Sequence, residues 1–153
     1  MKTFRRDGIE WGYPLNWTLD VEADGEGGTG WTATATSPQT AFFLACLRPD
    51  IADPAELATT TLETMQVEYS TLEPQEVIGS LAGRPAIGYD IDFITVDVTS
   101  FTMIRCMNTA YGVLLVLAQV ADYDREYHEP VLREMLASVR IHDEDDHDDT
   151  KPD

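Results

Sequence analysis

With 28 acidic residues against 10 basic ones, a 153-residue chain of formal charge −18 repels a phosphate backbone, which excludes nucleic acid as a partner. Its 43% apolar content suits one domain that buries roughly two thirds of its unfolded surface. No apolar run approaches the roughly 18 residues of a membrane span, and MKTFRRDGIEWGYP lacks an export signal's apolar segment, so a soluble cytoplasmic protein is expected.

After a polar start, Leu15, Trp17, Leu19 and Val21 alternate with Asn16, Thr18, Asp20 and Glu22, the period-two pattern of a half-buried strand. GEGGTG, Gly25 to Gly30, matches the glycine string of dinucleotide-binding proteins. However, the alternating WTATATSP that follows cannot open a phosphate-cradling helix, so the string reads as a hairpin loop. WTATATSP and TAFFLACL predict two further strands, the second apolar on both sides and hence covered on both faces. Asp53, Pro54 and Glu56 then form a helix start, with Leu57, Ala58, Thr61, Leu62, Met65 and Tyr69 as its buried face.

Period two returns in QEVIGSLA and in GRPAIGYDIDFITV, where Ile87, Tyr89, Ile91 and Phe93 point inward and Gly88, Asp90 and Asp92 outward. SFTMIRCMN and YGVLLVLAQV follow as strands joined by a hairpin turn around Asn108 to Gly112. A last helix carries Val131, Leu132, Met135, Leu136 and Val139; Pro130 either kinks a long helix that begins at Asp124 or, the preferred reading, sits in the first turn of one starting near Glu129. Residues 1–141 thus read as one domain and 142–153 as a disordered acidic tail. That tail carries −6, which leaves −12 on the body.

No constellation of catalytic residues stands out. Cys46 and Cys106 lie in apolar runs and read as buried thiols rather than a disulfide, in keeping with a reducing compartment. His128, His142 and His147 fall in or after the last helix, apart from any nucleophile motif, and HDEDDHDD has no apolar residue to fix a chelating geometry. Asp90 and Asp92 share a strand face, an arrangement that hydrolases and cation sites use but that a solvated face also explains. Trp11, Tyr13, Trp17 and Trp31 form an aromatic group at the edge of a core. Neither catalytic residues nor a cofactor or metal are expected.

Three segments, GIEWGYPLNWTL, LAGRPAIGYDIDF and VLREMLASVRI, resemble in order and spacing the first strand, a middle strand and the closing helix of the PsbP-like and Mog-type proteins, over residues 8–141. The resemblance implies an α+β fold, an antiparallel sheet flanked by helices on both faces (an α/β/α sandwich). It also implies no enzymatic activity. The family includes a photosystem subunit, a Ran-binding transport factor, DcrB-like lipoproteins and chaperones of type VI secretion effectors. Lacking a lipobox cysteine, this chain fits a cytosolic bacterial adaptor or effector chaperone best. It would be a monomer or homodimer whose unidentified partner is basic and meets the acids Asp20, Glu22, Asp90 and Asp92. The alternative is a small-molecule or lipid carrier, its pocket between sheet and helix lined by the aromatic group.

Overall fold

The computed structural model describes residues 1–23, 30–69, 71–95 and 97–142. The GEGGTG loop up to Thr29, and the tail beyond His142 with His147, lie outside the described residues. β1 (Lys2–Arg6) and β2 (Ile9–Tyr13) form a hairpin in the stretch expected to be a polar start. Asp7 and Gly8 turn it with φ of 51° and 77°, the left-handed pair of a two-residue hairpin loop. β3 (Thr18–Ala23), β4 (Trp31–Thr36) and β5 (Phe42–Arg48) follow, then α1 (Pro54–Glu68), β6 (Leu72–Leu81), β7 (Arg84–Thr95), β8 (Val98–Thr109) and β9 (Gly112–Ala121). α2 (Asp122–Ala137) and the short β10 (Arg140–Ile141) complete the chain.

Two antiparallel sheets result: β1-β2-β10, and a seven-stranded sheet in the order β3-β4-β5-β9-β8-β7-β6. The small sheet and α2 cover one face of the large one. There Phe4, Ile9, Trp11 and Tyr13 join Ala33, Ala35, Phe43 and Ala45 with Leu132 and Met135 of α2 in one core. On the opposite face α1 packs Leu57 and Ala58 against Ile91, Phe93, Ile104, Cys106, Val113 and Leu115.

This arrangement overturns the expected helix-flanked α/β/α sandwich of PsbP-like type. Among the described residues the chain is mostly antiparallel β, with ten strands and two helices. The physical reason lies in the N-terminal hairpin. Its alternating Ile9, Trp11 and Tyr13 are buried against the large sheet, so a second sheet shares the layer that helices were expected to fill.

Both helices depart from propensity in ways their contacts explain. In α1, Asp53 accepts a hydrogen bond from Ala55 N at 3.0 Å, while Thr61 and Thr64 donate to the carbonyls of Leu57 and Thr60, four residues back. α2 begins at Asp122 rather than near Glu129, and Pro130 lies within it. An interior proline removes one hydrogen bond, at a cost of about 3 kcal/mol. Contacts from outside the helix offset this. Asp124 accepts from both the amide and the hydroxyl of Thr40, and the same hydroxyl accepts from Ala121 N, so the β4–β5 connection caps the helix.

Candidate interaction surface

Asp90 and Asp92 stand on the β7 face that looks toward α2, one strand in from the β6 edge. Asp90 Oδ1 lies 2.9 Å from Arg105 Nη1 of β8, an ion pair whose approach is off the direction of a hydrogen bond. Asp92 accepts from Arg125 of α2 at 3.2 Å, and that guanidinium lies 3.8 Å from the centre of the Phe101 ring. Arg125 also donates to Glu129 at 2.7 Å, and Glu129 accepts from Arg133 at 2.9 Å on its other oxygen.

Burial alone would raise the Glu129 pKa, but hydrogen bonds from Arg125 and Arg133 outweigh it and hold the carboxyl below its ordinary value. Burial likewise works against the Arg125 charge, yet bonding to Glu129 and Asp92 raises its pKa. Each aspartate is thus paired with an arginine, Asp90 with Arg105 and Asp92 with Arg125. Among the described residues no group of three or more His, Cys, Asp or Glu side chains converges to hold a metal ion.

Asp20 and Glu22 do not join them. They lie exposed on β3, five strand spacings or about 24 Å from β7, with side chains on the α1 face of the sheet. The four acids expected to form one contact therefore sit on opposite faces and at opposite ends.

The other residues singled out by sequence are placed as follows. Trp11, Tyr13, Trp17 and Trp31 are all buried, with Trp11 ring centres 5.4 Å from Phe4, 5.9 Å from Tyr13 and 4.8 Å from Phe43. Trp31 Nε1 donates to Asp7 at 2.9 Å, while Trp11 Nε1 has no partner among the described residues. His128 bonds Gln39 and stacks edge-on to Trp17, and His142 N donates to Gly8 O. Cys46 and Cys106 both pair with Leu115 from either side, so β9 separates them by two strand spacings, about 10 Å, beyond disulfide reach. Burial, with the nearby Cys46, pushes the Cys106 thiol up to about 12.

Sequence reasoning passed over the β6 edge itself. Among the described residues β6 pairs on one side only, with β7, and most of its residues are exposed, Ile78 at 73%. A cleft opens beside it on each face of the sheet. On the α2 side a polar cleft of about 450 Å³ is lined by Glu73, Gln75, Asp90, Asp92, Arg125 and Arg133. At the start of α1 a cleft of about 360 Å³ is lined by Asp53, Pro54, Ile78, Arg84, Pro85 and Ile87. The legible signal was Val77-Ile78 in a strand whose neighbours are polar, which the period-two reading treated as an ordinary half-buried strand.

No protein-family model matches the chain, and no curated protein does. Solved structures match at the level of fold. A Pseudomonas aeruginosa protein of unknown function, PA94, is 14% identical with a TM-score of 0.54, covering 90% of this chain and 94% of that one. LpqN of Mycobacterium tuberculosis, involved in cell envelope biogenesis, is 12% identical with a TM-score of 0.50, covering 87% and 82%. No helix among the described residues is long and apolar enough to cross a membrane.

Proposed function

We propose that the protein is a non-enzymatic, protein-binding adaptor or chaperone-like module of the cytoplasm. One observation supports this most: β6, a ten-residue strand with one side unpaired among the described residues, an exposed Ile78 and a cleft on each face beside it. Unpaired strand edges pair with other chains, and natural proteins cover or blunt those that have no partner. Two thiols held apart by a strand suit a reducing compartment. The carrier alternative draws less support, because Phe4, Trp11, Tyr13 and Phe43 pack against one another at the place where its pocket was expected.

A photo-crosslinking amino acid at Ile78, with one at the exposed Val67 of α1 as control, tests the reading in living cells. A discrete polypeptide adduct at Ile78 and not at Val67 is the expected result. Adducts at neither position, together with a lipid or metabolite found in native mass spectra of the purified protein, would replace the adaptor with a carrier.

A further inference from the structure

Which groups the β6 edge offers follows from its turn. Ala82 and Gly83, with φ of 56° and 76°, form a two-residue loop closed by the pair Leu81 and Arg84. The closing pair of such a loop is hydrogen-bonded, so odd-numbered β6 residues direct their N–H and C=O groups to β7 and even-numbered ones direct theirs away. Pro74, which has no N–H to give, is even-numbered and fits that assignment. Beyond it, Glu76, Ile78 and Ser80 present outward donors and acceptors as a short open template.

Side chains alternate as well. Odd positions face α2, where Leu81 packs into the core with the small sheet, and even positions face α1, where Leu72 packs against its cluster. Glu73 therefore overhangs the α2-side cleft and Glu76 stands on the α1 side next to Ile78. The β6–β7 hairpin, residues 72–95, carries four acids against the single base Arg84, in a chain of charge −18.

We infer that the β6 edge between Glu76 and Ser80 docks a short, extended, basic segment of another polypeptide as an added antiparallel or parallel strand. Its cationic side chains meet Glu73 on one face, and its apolar ones meet Ile78 on the other. A second copy of this chain is disfavoured as occupant, since β6 against β6 brings Glu73 and Glu76 together between two bodies of high negative charge. Pro74 bounds the template at one end, which keeps the docked segment short.

The inference rests on the protein-binding reading and names that partner's chemistry. A short labelled peptide alternating lysine and valine is the probe, read by fluorescence anisotropy against the full chain. Binding is expected to weaken by about tenfold in Ile78→Pro, which removes one outward N–H, and by a similar factor in the double variant Glu73→Lys/Glu76→Lys, which leaves the backbone alone. It should also weaken steeply with salt, and an alternating glutamate and valine peptide should not bind. Binding unchanged by both variants would overturn the site. Sedimentation showing a dimer lost in Ile78→Pro would overturn the choice of occupant in favour of a second copy. If the peptide fails while the Ile78 crosslinker still captures a polypeptide in cells, the partner's basic chemistry is wrong and the protein-binding reading survives; if both fail, both fall.

Discussion

Gly88 shows how one residue sets the spacing of two strands. It pairs with Arg105, and a Cβ in its place would overlap the backbone oxygen of Ile104, which no rotamer change relieves. Gly88→Ala should therefore destabilise the fold by about 2 kcal/mol through forced backbone shifts, measured as a lower midpoint in chemical denaturation. Glu129 gives a pH signature. Its folded pKa lies below the ordinary glutamate value, so its stabilisation is present above that ordinary value and is lost as pH falls through the folded one. Glu129→Gln is expected to cost about 1 kcal/mol at neutral pH and little in acid, seen as denaturation midpoints that converge as pH drops. At Cys106 the raised pKa predicts a thiol that stays unmodified in the native state. In a Cys46→Ser background, thiol labelling should proceed only at the rate of unfolding, and rapid native labelling would contradict the buried placement.

Elements were legible where local chemistry and tertiary demand agree. The Asp53-Pro54 start of α1 is one such place, and Asp53→Ala should lower stability by about 1 kcal/mol through loss of the bond to Ala55 N. A circular-dichroism melt unchanged by that substitution would remove the cap from the account. β4, β5 and β9 were equally plain, since Trp31, Ala33, Ala35 and the run Gly112–Ala121 present one pattern for one environment. α2 was read as starting late because Pro130 is a local helix breaker, whereas the cap that overrides it comes from Thr40, distant in sequence. The first hairpin was readable in principle from Asp7-Gly8, a strong two-residue turn signal, but Lys2, Arg5 and Arg6 on its exposed positions masked the alternation of Ile9, Trp11 and Tyr13. The helices on both faces were what the family resemblance implied, and the hairpin shows that a second sheet shares one of those layers with α2.

At the scale of the molecule, the acids that sequence placed in one field are divided by topology. Asp90 and Asp92 are drawn into ion pairs by Arg105 and Arg125, partners that no local window reveals. Asp20 and Glu22 go to the far edge and the other face. Sequence therefore conveyed the sign of the surface charge and not its arrangement. Among the described residues the large sheet ends at β3 and at β6, and the central claim is that the β6 edge binds a polypeptide strand. Residue-resolved amide exchange by NMR, with and without the lysine–valine peptide, measures that directly. Pairing of the edge predicts that the peptide slows exchange of the outward amides of Glu76, Ile78 and Ser80, leaving the inward, β7-bonded amides of Val77 and Gly79 and those along α2 as they were. Protection confined to α2 or to the β3 edge, with Glu76, Ile78 and Ser80 exchanging as before, would contradict it.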